Sequence, residues 1–225
     1  MPRERPILLG LAFVAGLVDA ASFLGLGHVF TANMTGNLVL LGFAVTGVHE
    51  LSVERSLAAL GGYLVGALCG ARAAVWLDRG PRTGARARGG AAFGIEPLVL
   101  LPAALLAWRG GAGALASGAD PYAIITLAGL AMGARNGAAR RLGIPHVTTS
   151  VETTNLTRLA AGSSAGAGSD RDFGRLGTSV TAMFAGAALG AWLVRYSLAA
   201  PLGCGVILSA VCAMLAYSLG KVRRS

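Results

Sequence analysis

The chain has 225 residues, of which 54% are hydrophobic and only 13% charged, about half the charged fraction of an average globular protein, so a soluble fold is excluded. The net charge of +9 would indicate nucleic acid as the partner of a soluble protein, but here the basic residues lie between apolar blocks, where they orient helices and meet lipid headgroups. The chain is therefore an integral membrane protein without a nucleic-acid partner, and 34 glycines with only three tryptophans favour closely packed helices over a β-barrel with aromatic girdles.

Apolar blocks close to the length that a helix needs to cross a bilayer recur along the chain. They predict six transmembrane helices, at about 6–26, 56–77, 93–108, 121–140, 175–195 and 200–220. Two further segments, 28–47 and 146–163, are apolar only in their second halves and begin with polar residues. We interpret them as re-entrant segments, each ending in a half-helix of about 12 to 14 residues that returns to the side of entry.

The basic residues of the loops distinguish two topologies. If both polar-headed segments cross the membrane, giving eight spans with the N-terminus inside, nine basic residues lie inside and seven outside. If both segments re-enter, 13 lie inside and only three, Arg55, Arg109 and Arg195, lie outside. The positive-inside rule favours the second arrangement. We therefore predict six spans with both termini in the cytoplasm.

The sequence contains an internal repeat within a single transmembrane domain, with 1–110 as the first copy and 118–225 as the second. Each copy has three crossing helices, and an odd number inserts the second copy upside down relative to the first. The predicted fold is an all-α membrane protein with six transmembrane helices and two re-entrant half-helices, arranged as two inverted structural repeats, as in many transporters. The identities at a constant separation of 118 residues are Gly25/Gly143, His28/His146, Val29/Val147, Thr31/Thr149, Thr35/Thr153, Asn37/Asn155, Leu38/Leu156 and Leu41/Leu159.

The polar heads of the two re-entrant segments form the candidate solute site. In inverted-repeat transporters such broken segments meet near the membrane midplane, and free N–H groups at the half-helix ends favour an anion or the carboxylate of a zwitterion. The alternative is that the threonines and asparagines only cap the half-helices. Likewise, His28 and His146 are either pH-sensitive groups or structural hydrogen-bonding groups.

Asp19 is the other candidate, because a carboxylate within a membrane span is costly and is usually functional. Its repeat mate is Asn136. The alternative is a structural carboxylate that neighbouring hydroxyls or an arginine satisfy, with Arg72 and Arg135 as candidate partners of Asp19 or Glu152. The full set of predicted solute-binding residues is Asp19, Thr31, Asn33, Thr35, Asn37, Asn136, Thr149, Glu152, Thr153 and Asn155.

Two motifs resemble those of a known family. Gly16-Leu-Val-Asp19-Ala-Ala-Ser-Phe, followed by Val29-Phe-Thr-Ala-Asn33-Met-Thr-Gly-Asn37-Leu, is similar to the signature of the YoaK family of uncharacterised bacterial inner-membrane proteins. The segment that begins at Asn136 and ends at Leu159 fits the same family, with Thr154 in place of a family glycine. The resemblance implies a helical protein of the bacterial inner membrane and no established substrate.

The sequence indicates a transport function rather than an enzyme. It has no His-Glu-x-x-His or phosphate-binding Gly-x-x-x-x-Gly-Lys motif, and its three cysteines lie in apolar blocks without metal-ligand spacing, so we expect no cofactor. We expect a secondary transporter of a small polar or anionic solute, in contact with membrane lipids. An anion channel and a non-transporting membrane sensor or partner protein are the alternatives, and assembly into a homo-oligomer is left open.

Overall fold

The computed structural model describes residues 5–78, 93–110, 121–142 and 170–222, and all the regular structure in these ranges is helical. The all-α fold that the sequence predicts is therefore confirmed for the described residues. The helices in chain order are α1 (Arg5–Gly25), α2 (Met34–Val45), α3 (Val53–Asp78), α4 (Ile95–Arg109), α5 (Pro121–Arg141), α6 (Asp170–Val194) and α7 (Ala199–Val222).

A helix lies at each of the six predicted spans, but the helices differ in their suitability for crossing a bilayer. Among the described residues, four are long and apolar enough: α1, α3, α6 and α7. Helix α4 has only 15 residues, and α5 carries Arg135, Asn136 and two terminal arginines in its second half. A span needs about 20 predominantly apolar residues, so six crossings stay a prediction.

The first polar segment ends in a short helix, as its sequence predicts. Residues 26–33 are irregular, and α2 then runs for 12 residues. At 1.5 Å per residue α2 is about 18 Å long, well short of a hydrocarbon core of about 30 Å. The second polar segment, 146–163, lies outside the described residues, so the half-helix predicted there has no counterpart to compare.

Helices α1 and α5 form the middle of the bundle. The most extensive helix contacts are those of α1 with α6 and of α3 with α5, and α4 packs against α5 and α7, while α7 also packs against α1. The main hydrophobic core lies between α1, α4, α5 and α7, with Val14, Leu100, Ile125, Met132 and Leu202 among its buried members.

Glycines permit the two most extensive helix contacts, those of α1 with α6 and of α3 with α5. A Cβ atom on Gly186 would clash with the carbonyl oxygen of Phe13 on α1, and one on Gly66 would clash with that of Leu130 on α5. Small residues spaced four apart let helix backbones approach closely in membranes, where packing rather than water exclusion holds helices together. The further close approaches of this kind are Gly190 to Leu17, Gly70 to Ala134, Gly16 to Met183 and Gly133 to Tyr63.

The outer faces of the helices are apolar. Large hydrophobic side chains are exposed on every helix outside the central pair, including Leu38 on α2, Trp76 on α3, Leu98 on α4, Phe184 on α6 and Ile207 on α7. Exposed apolar area on this scale suits lipid rather than water. The chain is an integral membrane protein whose embedded helices contact lipid.

Candidate functional site

Asp19 anchors the irregular segment to α1. Its carboxylate is buried, and Oδ1 accepts hydrogen bonds from the backbone N–H groups of Thr31 (2.9 Å) and Ala32 (2.7 Å), while Oδ2 accepts one from Asn33 (3.1 Å). These amides lie at and just before the N-terminus of α2, where no helical carbonyl is available to them. The negative charge that this helix end favours is thus supplied by the protein itself.

Asn37 and Asn33 fold the same segment back onto α2. The buried Asn37 side chain donates from Nδ2 to the carbonyl oxygen of Phe30 (2.8 Å) and accepts at Oδ1 from the Phe30 N–H (3.0 Å). Asn33 is the N-cap of α2, and its Oδ1 accepts from the N–H of Gly36 at 3.3 Å. The side-chain amides therefore replace backbone pairing that the segment lacks.

A tight turn connects α1 to this segment. Gly27 has a φ of 92° and His28 a φ of 61°, so both lie in the left-handed region, which is unusual for histidine. The ring of Phe23 stacks on Phe30 at 4.9 Å and meets the His28 ring edge-on at 5.1 Å. The turn is consequently held by aromatic packing as well as by hydrogen bonds.

The structure brings together four of the predicted residues near the N-terminus of α2. Asp19, Asn33 and Asn37 are joined as described above, and buried Thr31 has its Oγ1 3.4 Å from Ser22 Oγ. Thr35 lies apart, exposed on α2. The groups that satisfy Asp19 are backbone amides, and not the hydroxyls or the arginine considered from the sequence. A solute-binding role for these residues stays a prediction.

Asn136 lies on α5 and faces α3. Its Nδ2 donates to the hydroxyl oxygen of Tyr63 at 2.8 Å, and among the described residues its Oδ1 has no hydrogen-bond partner. The remaining predicted site residues lie outside the described part of the chain, so the structure does not bear on them: Thr149, Glu152, Thr153 and Asn155.

A buried ion pair between α4 and α5 is a polar feature that the sequence analysis does not predict. Arg135 Nη1 donates to Glu96 Oε1 at 3.2 Å and to the Leu11 carbonyl oxygen of α1 at 3.1 Å, and both charged side chains are 0% exposed. The sequence contains a signal for this pair, because Glu96 is a lone carboxylate within the predicted span 93–108. A carboxylate within a span is also the criterion that identifies Asp19 as a candidate. Arg135 was considered only as a partner of other carboxylates.

This ion pair is incompletely hydrogen-bonded. Among the described residues, five buried side-chain polar atoms have no hydrogen-bond partner, and four of them belong to Glu96 (Oε2), Arg135 (Nε and Nη2) and Asn136 (Oδ1). Buried polar atoms in proteins are nearly always paired, and each exception calls for an explanation. Unused hydrogen-bonding capacity is therefore concentrated around Arg135 and Asn136, in the second half of α5, and the adjoining Glu96 of α4.

The two polar clusters lie at different depths. Arg135 contacts the carbonyl group of Leu11, which precedes Asp19 by eight residues on α1. Eight residues of helix correspond to about 12 Å. The Asp19 cluster thus supports the irregular segment toward the C-terminal end of α1, and the Glu96–Arg135 pair lies toward its N-terminal end.

Comparison with known proteins agrees with the resemblance drawn from the motifs. Residues 7–215 match the family described as "Protein of unknown function (DUF1275)". The chain is 34% identical to the UPF0700 transmembrane protein YoaK of Bacillus subtilis (strain 168) over 156 residues, which are 69% of this chain and 65% of that protein. The match thus spans just under two thirds of the relative's length. No solved structure matches the chain. The predicted resemblance to the YoaK family is confirmed.

Proposed function

Because the chain belongs to the DUF1275 family of proteins of unknown function, we propose its function from its own geometry: it is a secondary transporter of a small polar or anionic solute. In this proposal residues 1–110 and 118–225 are inverted repeats that together supply six transmembrane helices and two re-entrant segments. Both termini face the cytoplasm, and the membrane is the bacterial inner membrane. The solute lies between the two polar segments.

The exchanged packing of the helices carries this proposal. If the repeats are equivalent, α1 corresponds to α5, α3 to α6 and α4 to α7. When each helix is replaced by its counterpart in the other repeat, the α1–α6 contact maps onto the α5–α3 contact. In the same way, the α4–α5 contact maps onto the α7–α1 contact. The central helix of each repeat, α1 or α5, thus packs against an outer helix of the other repeat, α6 or α3.

The exchange holds for individual contacts as well as for whole helices. Gly66 and Gly186 are 120 positions apart, and the carbonyl groups they approach, those of Leu130 and Phe13, are 117 positions apart. The same separations relate Gly70 to Gly190 and their contacts Ala134 to Leu17. Unrelated helix pairs have no reason to keep a common register. Two interlocked and equivalent halves are the architecture in which transporters alternate access by rocking one half against the other.

The first polar segment supports the same reading. Non-helical backbone within a membrane is tolerated where protein groups satisfy it, and here Asp19 and Asn37 satisfy the backbone of residues 30–33. Discontinuous elements of this kind line the solute pathway in transporters built from inverted repeats. The solute-facing residues proposed here are those of the two polar heads, with Asp19 and Asn136 behind them.

Counterflow in proteoliposomes tests the proposal. Protein reconstituted into vesicles is loaded with unlabelled glycine, acetate, succinate or phosphate and exposed to the same solute carrying a radiolabel. We expect saturable uptake that internal solute accelerates for at least one probe. Flux that does not saturate and does not depend on internal solute would indicate a channel, and the absence of flux for all four probes would indicate a non-transporting protein. Protein-free vesicles are the control.

A further inference from the structure

The unpaired polar atoms of the Glu96–Arg135 pair include both cationic hydrogen-bond donors and an anionic acceptor. The free atoms of Arg135 are Nε and Nη2, which form one edge of the planar guanidinium group, while Nη1 is occupied by Glu96 and Leu11. The free atom of Glu96 is Oε2, on the carboxyl group already in contact with Arg135. A pair of donors and an anionic acceptor therefore belong to two groups in direct contact.

We propose that Arg135 and Glu96 bind the two charged ends of a small zwitterion of the amino-acid type. The solute carboxylate accepts two hydrogen bonds from Nε and Nη2 of Arg135, and the solute ammonium donates to Oε2 of Glu96. The inference rests on the proposed transport function: it adds to the site between the polar segments a second solute-binding point, about 12 Å along α1 from the Asp19 cluster, and names the chemical class of the solute. Zwitterion binding is measured separately from transport, so the two proposals can fail independently.

The guanidinium edge selects a carboxylate. Its two N–H groups are parallel and match the spacing of carboxylate oxygens, so the contact is bidentate and fixes the orientation of the solute. A lysine in this position would offer a point charge without that geometry.

Charge balance selects a zwitterion over a simple anion. Glu96 and Arg135 together are neutral, and both are fully enclosed by protein. An added anion would leave one net negative charge in a region of low dielectric constant, whereas a zwitterion adds no net charge and pairs each of its ends. Because the pair is enclosed between α4, α5 and α1, the geometry favours a small solute such as glycine or alanine.

Ligand-induced thermal stabilisation of the full chain in lipid nanodiscs measures this binding. The probes are glycine, alanine, acetate and N,N,N-trimethylglycine, which keeps both charges but has no N–H group. We expect glycine or alanine to bind, and acetate and trimethylglycine to bind about ten- to 100-fold more weakly, since each lacks one charge-assisted hydrogen-bonding partner. Equal affinity for all four probes, or no binding of glycine and alanine, overturns the proposal.

Two variants localise the binding. Glu96→Gln removes the charge that holds the ammonium, so glycine should bind at least about tenfold more weakly, while acetate should bind as well as or better than before because no carboxylate repels it. Glu96→Gln with Arg135→Gln replaces the ion pair by two neutral amides and avoids leaving a lone buried charge, so it should fold and bind neither probe. Arg72→Gln, at an exposed arginine of α3, is the matched control and should change nothing.

The outcomes separate this inference from the transport proposal. If the double variant is folded and binds glycine as tightly as the unaltered protein, the zwitterion does not bind at Arg135 and the inference is wrong, whether or not counterflow occurs. If the variants behave as expected but no probe undergoes counterflow, the site stands and transport is wrong, which would indicate an amino-acid sensor. If counterflow occurs and Glu96→Gln leaves the preference for glycine over acetate unchanged, transport stands and the site is wrong.

Discussion

Asp19 supplies an acceptor for three consecutive N–H groups, those of Thr31, Ala32 and Asn33, which directly precede the first turn of α2. Three amides converge on one carboxylate, and hydrogen bonds to an ionised acceptor are about twice as strong as neutral ones. The carboxylate is buried, so water cannot replace it. The backbone of residues 31–33 therefore has its main anchor on α1 in one side chain, that of Asp19.

Replacing Asp19 by asparagine should destabilise the protein. The amide group retains one acceptor oxygen but presents an NH2 group to a backbone N–H, so at least one buried donor loses its partner, at a cost on the order of 1–3 kcal/mol. Thermal unfolding in detergent, followed by circular dichroism, measures the loss. Thr35→Ala is the control, because Thr35 is exposed on α2 and should be neutral. Equal melting temperatures for the Asp19 variant and the unaltered protein would contradict the anchoring role.

Asn37 should tolerate aspartate poorly despite the equal size of the two side chains. Asn37 both donates to and accepts from the backbone of Phe30, and an aspartate carboxylate would place negative charge against the Phe30 carbonyl oxygen. We expect a loss of about 1–3 kcal/mol for Asn37→Asp, and a comparable loss for Asn37→Ala, which removes both hydrogen bonds. Hydrogen exchange at the Phe30 amide provides the local measurement. Unchanged protection in both variants would show that this pairing does not stabilise the segment.

The sequence indicated the importance of Asp19, Asn33 and Asn37, but not what they bind. Asp19 is singled out by the cost of a carboxylate in a span, Asn37 by its recurrence as Asn155, and Asn33 by its place in the first polar head. Their partners are backbone amides and a backbone carbonyl, which have no sequence signature. They come into reach only through the left-handed turn at Gly27 and His28, and a positive φ at histidine is not predictable from residue type.

At the scale of the helices, the glycines at the α1–α6 and α3–α5 contacts, which we call the glycine seams, determine how closely the central and outer helices approach. Gly186 and Gly66 each bring one helix within carbonyl contact of another, so added methyl groups have no room unless the helices separate. The Gly-x-x-x-Gly spacing is visible in the sequence. Its facing helix is not, since Gly186 on α6 packs against Phe13 on α1, 173 positions away, and Gly66 on α3 packs against Leu130 on α5, 64 positions away.

Alanine at either seam glycine should therefore be destabilising, and by similar amounts. Overpacking costs typically about 1–3 kcal/mol, partly offset by the better helix propensity of alanine. If the two seams are equivalent, Gly66→Ala and Gly186→Ala should lower the melting temperature equally. Gly61→Ala is the matched control on α3, because a Cβ there contacts nothing within 4 Å, and it should be neutral or slightly stabilising. An unchanged melting temperature for Gly186→Ala would show that α1 and α6 are not closely packed at this glycine.

The whole molecule is organised around α1 and α5, and its two charged clusters tie these helices to their neighbours. Hydrophobic periodicity and length predicted where each helix lies, because apolar blocks and polar breaks have clear sequence signatures. They did not predict the Glu96–Arg135 contact. It joins residues 39 positions apart on two helices, through a geometry that depends on how α4 and α5 cross. Four helices meet the length and hydropathy expected of a span, so topology is the property that most needs a direct test.

Cysteine labelling of intact cells distinguishes six spans from eight. In a background without Cys69, Cys204 and Cys212, a cysteine at Ser52 lies outside if the first polar segment re-enters and inside if it crosses, and a cysteine at Arg141 behaves in the opposite way. A cysteine at Ser197 lies outside in both topologies and serves as the control. Because α2 has 12 residues and reaches about 18 Å, we expect an impermeant maleimide to label the Ser52 and Ser197 variants but to reach the Arg141 variant only after permeabilisation. Labelling of both Arg141→Cys and Ser197→Cys from outside, with Ser52→Cys protected, would make both segments full crossings and would remove the inverted arrangement of the repeats, since four crossings per repeat insert both copies in the same orientation.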